Sequence, residues 1–250
     1  MNWTTRKGLI RSELIYYWKP FQRRRMRAFY RELVHPGDLC FDLGAHLGNR
    51  TRTFLELGAR VVAVEPQPAC VQYLSSRFGR HPGFILCPKA VGPAPGLSTL
   101  FVNSGNPTIS TLSREDWRNA MAEASSRSEA WDIQVPIEVI TLDQLIDEFG
   151  TPAFCKIDVE GFELETLQGL SFPMPSFSFE FLSLHPERIQ TCLNLVERLG
   201  NYEFNWSEQE TMRWQEPQWI PIRELREKLS AFRKPILSGD IYARLISAST

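Results

Sequence analysis

Short apolar runs alternate along the chain with stretches whose apolar residues recur at helical spacing, the signature of successive parallel βαβ units. The turn signal Pro36-Gly37 opens the first run, DLCFDLGA (38–45). After it Leu47, Phe54 and Leu55 share one helical face, and Gly58 closes that helix. RVVAVEP (60–66) is continuous and β-branched, as expected of a strand buried on both faces. A helix follows over 68–78, then FILCPKAVG (84–92) as a third strand and LSTLFVN (97–103) as an additional one. IQVPIEVI (133–140) reads as a strand whose Pro136 places it at an edge or bulge. A short helix over 143–149 leads to the strand AFCKIDVEG (153–161), after which Leu164, Leu167 and Leu170 line a helix. FSFEFLSL (177–184) is a further buried strand; Ile189, Cys192, Leu193, Val196 and Leu199 repeat at helical spacing. Residues 202–206 and 241–246 are the final strands. The pattern predicts an α/β fold with a Rossmann-like, doubly wound, mostly parallel sheet. A helical extension (1–35) precedes the main domain (36–250). Residues 103–132, rich in Ser, Asn, Arg and Glu, read as an insertion or lid over the sheet edge.

Composition changes this picture little. Hydrophobic residues make up 43% and charged residues 23%, an ordinary globular balance. The net charge of −1 gives no global argument for a nucleic-acid partner. Charge is uneven, however: residues 1–34 hold nine Lys/Arg against Glu13 and Glu32, so +7 there leaves −8 for the rest. We read that stretch as the solvated face of helices packed by Leu14, Trp18, Phe21, Phe29 and Leu33, in preference to a membrane contact. The five scattered cysteines (Cys40, Cys70, Cys87, Cys155 and Cys192) show no C-x-x-C pair and read as buried free thiols. With no signal-peptide pattern and no membrane-length apolar run, a reducing cytoplasm is the expected compartment.

The candidate chemistry begins at Asp42-Leu43-Gly44-Ala45-His46-Leu47-Gly48-Asn49-Arg50-Thr51, a strand-to-helix turn. Doubly wound sheets bind ligands at such carboxyl ends, and glycines let the backbone approach where a Cβ would collide. A dinucleotide site needs G-x-G-x-x-G to deliver a pyrophosphate to a helix N-terminus. Here Gly44 and Gly48 are spaced G-x-x-x-G, and Asp42 would repel a pyrophosphate. S-adenosylmethionine carries an ammonium and a sulfonium, which an acid pairs with directly, so the charge pattern selects the methyl donor over NAD. Glu65 ends the second strand, where a carboxylate accepts hydrogen bonds from a ribose diol. Ala90 either admits the adenine edge close to backbone or is simply a small core residue. A branched side chain at Gly44 is expected to abolish binding and leave the fold nearly intact.

The second constellation is Lys156-Ile157-Asp158-Val159-Glu160-Gly161-Phe162-Glu163. Strand alternation puts Lys156, Asp158 and Glu160 on one face, an expensive burial unless paired or functional. Asp158 and Glu160 are placed where a general base for a hydroxyl, or an oxygen ligand for a divalent cation, has to stand. A structural Lys156–Asp158 pair, with Glu160 capping the next helix, is the competing explanation.

With FDLGAHLGNRT, VVAVEPQP, KAVG, TLDQLI, CKIDVEGFELETLQGL and the FEF strand in this order over about residues 38–184, the chain resembles FkbM-type methyltransferases. The resemblance implies a class I methyltransferase fold, S-adenosylmethionine as donor and O-methylation of sugars, glycans or natural products. It carries Asp42, Gly44, Gly48 and Glu65 over as cofactor positions and Asp158 and Glu160 as active-site positions. The family usually has Asn where this chain has His46; histidine keeps the hydrogen-bonding capacity and adds a titration near neutrality. His185, after the FEF strand, is a candidate base beside Glu180, or a structural loop histidine. Asp158, Glu160 and Glu180 offer the oxygen ligands Mg²⁺ takes, and metal dependence stays open.

The expected acceptor is a small molecule or glycan. A non-catalytic partner subunit would carry degraded cofactor motifs, and these are intact. An N-methyltransferase of protein or RNA would carry an N-P-P-Y-like motif where Asp158-Val159-Glu160-Gly161 stands. Oligomeric state and the exact acceptor are not legible.

Overall fold

The computed structural model describes residues 21–103, 112, 133–230 and 238–246. Most of the 103–132 insertion and most of the 1–34 basic stretch, with Leu14 and Trp18, lie outside them.

Within them the chain runs α1 (Gln22–Tyr30), β1 (Leu39–Leu43), α2 (Asn49–Glu56), β2 (Arg60–Val64), α3 (Pro68–Phe78), β3 (Phe84–Cys87), β4 (Ala90–Val91) and β5 (Gly96–Val102). It continues through β6 (Ile133–Ile140), α4 (Leu142–Phe149), β7 (Phe154–Ile157), α5 (Glu163–Gln168), β8 (Ser176–Leu182) and α6 (Pro186–Leu199). β9 (Tyr202–Glu208), β10 (Ile220–Pro221), α7 (Ile222–Ser230) and β11 (Ser238–Leu245) complete it. The main sheet has the order β10-β9-β11-β8-β7-β1-β2-β3. β3, β2, β1, β7 and β8 are parallel, and β11 inserts antiparallel between β8 and β9. The direction of winding reverses between β1 and β7, which makes their carboxyl ends the switch point of the sheet.

Alternation along the strands builds both faces. Phe41, Leu43, Val62, Val64, Cys155 and Ile157 pack on one side with Leu145 of α4, Leu167 of α5 and Leu193 of α6. Their neighbours Cys40, Val61, Ala63 and Phe154 pack on the other with Met26, Phe29 and Tyr30 of α1, Phe54 of α2 and Leu74 of α3. Helix α1 is therefore part of the core wall. Phe21, expected to pack, is instead 70% exposed in a left-handed turn at the start of α1.

Two elements differ from the sequence pattern. The apolar run 84–92 is not one strand: β3 joins the main sheet, whereas β4 pairs with β6 in a separate sheet of order β4-β6-β5. Pro136 is tolerated in β6 because only β5 pairs with it there; β4 reaches just Val139 and Ile140. In the 205–240 stretch, α7 buries Leu225 and Leu229. All five cysteines are buried free thiols, as their apolar surroundings predict.

Candidate functional site

The loops after β1, β2 and β7 meet at the switch point. Val64 O accepts from both Gly44 N (2.9 Å) and Ala45 N (3.1 Å), and Asp158 N donates to Leu43 O (3.0 Å), which ties the three strand ends together. Gly44 has φ 77°, and a Cβ there would lie 1.8 Å from the carbonyl oxygen of Asp158. This corrects the expectation that a side chain at 44 spares the fold, because it strikes the end of β7 before reaching any ligand. Gly44→Ala is expected to lose at least about 2 kcal/mol, combining left-handed strain with overpacking. Denaturant unfolding checks this, and a native midpoint contradicts it. Gly48 (φ 76°) serves α3 instead: its missing Cβ leaves room for Phe78 and Leu74, and it borders neither of the cavities described next.

Two cavities open from this point and share Gly44, His46, Asp158 and Glu160 in their walls. The first, about 590 Å³, lies over β2 and the small sheet, with Glu65, Gln67, Ala90, Val91 and Leu100 lining it. The second, about 630 Å³, lies over β7 and β8, with Asp42, Asn49, Arg50, Glu180 and Glu210.

Glu65 is 5% exposed and aimed by backbone: its Oε2 accepts from His46 N (2.7 Å) and its Oε1 from Gln67 N (2.8 Å). Each oxygen keeps one lone pair for a ligand hydroxyl. Burial pushes its carboxyl up to about 7, against the pull of those two hydrogen bonds. His46 sits at φ 49°, a conformation asparagine adopts more readily than most side chains. Burial lowers its imidazole to about 4, so it stays neutral and does not titrate near neutrality, contrary to the sequence expectation. Asp42 is 2% exposed, and Thr51 Oγ1 donates to it. Burial raises its carboxyl, partly offset by Thr51 and Arg50.

The expected three-charge strand face is corrected. β7 ends at Ile157; Glu160 (φ 53°) and Gly161 (φ 86°) turn left-handed, so strand alternation does not reach Glu160. Glu163 organises that turn, its Oε1 accepting from Val159 N (3.1 Å) and Gly161 N (3.2 Å). Asp158 and Glu160 nonetheless reach the same cavities. Lys156, fully buried, donates to Asp158 Oδ2 (3.0 Å) and also to Asp240 Oδ1 of β11 (2.8 Å). Burial works against the Asp158 anion, but Lys156 and Arg50 outweigh it and hold the carboxyl below its usual range. Burial, then the charges of Asp158 and Glu163, pushes Glu160 well up. Burial, then Asp158 and Glu160, does the same to Glu180. One carboxylate is thus held ionised beside two held toward neutrality.

His185 is not brought to this point. It opens α6 and borders a third cavity, about 530 Å³, with Glu163, Phe179, Glu180 and Arg188. Its Nδ1 lies 3.5 Å from Glu187 Oε1. Among the described residues no group of three or more His, Cys, Asp or Glu is arranged to hold a metal ion, Asp158, Glu160 and Glu180 included. Nor is any described helix long and apolar enough to cross a membrane.

Sequence reasoning missed Asp240, Arg50 and Glu210. Asp240 is 84 residues from Lys156 in sequence, and starting the last strand at Ile241 left it outside. Arg50 Nη2 donates to Glu210 Oε1 at 2.7 Å across 160 residues, from a segment with no readable motif.

The glycine turn, the acid ending β2 and the acidic loop after β7 keep their family order within residues 42–212, the span matched by the family model for the methyltransferase FkbM domain. The chain belongs to the FkbM methyltransferase family. It is also 27% identical over 156 residues to the hexuronic acid methyltransferase AglP of Haloferax volcanii, covering 62% of this chain and 59% of that protein. The chain thus spans about three-fifths of the length of this curated relative. Among solved structures it is similar to a TehB-like SAM-dependent methyltransferase from Corynebacterium glutamicum (TM-score 0.46, 10% identity, 94% of each chain). A second is precorrin-6y C5,15-methyltransferase from Geobacter metallireducens (TM-score 0.43, 10% identity, 89% and 87% of the chains). Likeness at this level carries no argument about activity.

Proposed function

We propose that this FkbM-family protein transfers a methyl group from S-adenosylmethionine to a hydroxyl oxygen of a sugar-like or natural-product acceptor. One observation carries the reading: Asp42, Gly44, Glu65, Asp158 and Glu160 line two adjoining cavities that share the switch-point residues. The acids and the close backbone fit a cationic nucleoside and oppose a pyrophosphate. When bound, the donor supplies an electrophilic methyl on its sulfonium.

The chain's own residues divide the remaining work. Glu65, fixed by two backbone N–H groups, receives the ribose diol, while Ala90, Val91 and Leu100 wall the base. Asp42 faces the donor's ammonium side. Asp158, kept ionised and fixed by Lys156, orients the acceptor hydroxyl from the wall common to both cavities. Glu160 takes its proton, because a carboxyl raised by burial and by the Asp158 charge is a stronger base than the Lys156-paired Asp158. The shared wall sets the two reactants in register, the main demand of an in-line transfer. His185, in the third cavity, is left out of this assignment. The test is transfer of isotopically labelled methyl to a hexoside: an O-methyl ether supports the reading, and label on nitrogen or no transfer to any hydroxyl acceptor overturns it.

Ribose binding by Glu65 needs its ionised form. S-adenosylhomocysteine affinity is therefore expected to rise with pH up to about 7, by up to about tenfold per unit below it, and to level above. Titration calorimetry from pH 5.5 to 8.5 reads this, and Glu65→Gln removes the slope. A slope unchanged in that variant would remove Glu65 from the binding site.

A further inference from the structure

We infer that the acceptor half of the site takes a hexose-type hydroxyl compound without an anionic group, and turns away uronates and phosphorylated sugars. This rests on the proposed methyl transfer and deepens it.

The sheet order divides the site. β1 and β2 carry Gly44 and Glu65 to the first cavity, the donor side, and Asp42 stands where the donor's ammonium end enters the second. β7, β8 and the turn after β9 bring Asp158, Glu160, Glu180 and Glu210 to the second cavity, the side left for an acceptor. Among the described wall residues Arg50 is the only Lys or Arg in that cavity. Its side chain is 9% exposed, and its guanidinium is already engaged by Glu210 at 2.7 Å. An anionic acceptor would meet Arg50 already paired with Glu210 and would sit among four further carboxyl groups, Asp42, Asp158, Glu160 and Glu180. Burial, and after it the charges of neighbouring carboxylates, already holds Glu160 and Glu180 toward their neutral forms. A further anion adds repulsion, whereas a neutral or amino-bearing group adds none.

Unused hydrogen-bonding capacity in the same wall points to what does fit. Asn49 Nδ2 and Arg50 Nε are buried donors, and Glu210 Oε2 a buried acceptor, without a hydrogen-bond partner within the protein. Native interiors rarely leave such atoms unmatched, and the three residues that carry them line the cavity. Hydroxyls both donate and accept, so a polyol satisfies this mixed set where a carboxylate, acceptor only, does not. The specificity inferred here differs from the uronic acid named for AglP, 27% identical over part of its length.

The experiment titrates the protein, saturated with S-adenosylhomocysteine, with methyl glucoside, methyl glucuronoside and glucosamine. The neutral hexoside is expected to bind at least about tenfold more tightly than the uronoside, with glucosamine at least equal to the hexoside. Glu180→Gln should narrow that gap; should it fail to fold, Glu210→Gln, on the loop after β9, serves instead by freeing Arg50. Uronoside binding as tight as the hexoside, or no sugar bound while S-adenosylhomocysteine binds, overturns the inference and leaves the methyl-donor reading standing. Absence of S-adenosylhomocysteine binding overturns the reading itself, and the inference with it.

Discussion

Glu160→Gln is expected to slow methyl transfer in single turnover by about 10²–10⁴-fold, the usual worth of a positioned general base. Affinity for S-adenosylhomocysteine stays within a few fold. The choice of Glu160 over Asp158 follows from their surroundings. Asp158 has an ammonium at 3.0 Å and is a weak base, whereas Glu160 is pushed up by burial and by the Asp158 charge. A base acts in its ionised form, so the wild-type rate rises with pH until Glu160 is deprotonated and then levels. In Glu160→Gln that rise disappears. Asp158→Asn keeps an oxygen for Lys156 and loses orientation of the hydroxyl, so the pH-dependent limb remains at a lower rate. Full single-turnover activity in a stably folded Glu160→Gln protein removes this residue from the mechanism.

Lys156→Met is expected to destabilise the fold by about 3–5 kcal/mol, the cost of leaving buried charge unpaired. Lys156 Nζ serves two carboxylates, and Asp240 in turn accepts from Tyr242 Oη (3.3 Å), whose hydroxyl lies 3.5 Å from that of Tyr30. One ammonium thus ties β7, β11 and α1 together. The double variant Lys156→Met/Asp240→Leu regains part of the loss, since an apolar replacement of a buried pair is far less costly than breaking it. Acid weakens the Asp158 arm of this link. Asp158 titrates below its unfolded value of about 4 when folded, so its contribution is complete above that pH and fades as the solution is acidified below it. Equilibrium unfolding in urea at pH 7 measures both variants. A Lys156→Met midpoint equal to the wild type's would show that the network adds nothing to stability.

The legible parts of the fold were those written in local patterns. Strand β6 and helix α3 carry their periods within one short segment and appear at the expected residues. The switch-point turn was readable because Asp42, Gly44 and Glu65 lie within one βαβ unit. What escaped was set by distant partners. Nothing within 84–92 says that Ala90 leaves the main sheet, because that depends on β6, some forty residues on. Alternation misplaced Glu160, since the left-handed turn at 160–161 is held by Glu163. Burial took His46 out of the neutral titration range, and the side-chain type alone cannot show this. The Lys156–Asp240 and Arg50–Glu210 pairs exist only once β11 and the loop after β9 have come home.

Titration calorimetry with S-adenosylhomocysteine and NAD at pH 7.5 tests whether Asp42, Gly44 and Glu65 frame a methyl-donor site. One S-adenosylhomocysteine is expected to bind per chain, with binding lost or strongly weakened in Glu65→Ala and no heat from NAD. Saturable NAD binding without S-adenosylhomocysteine binding would contradict it.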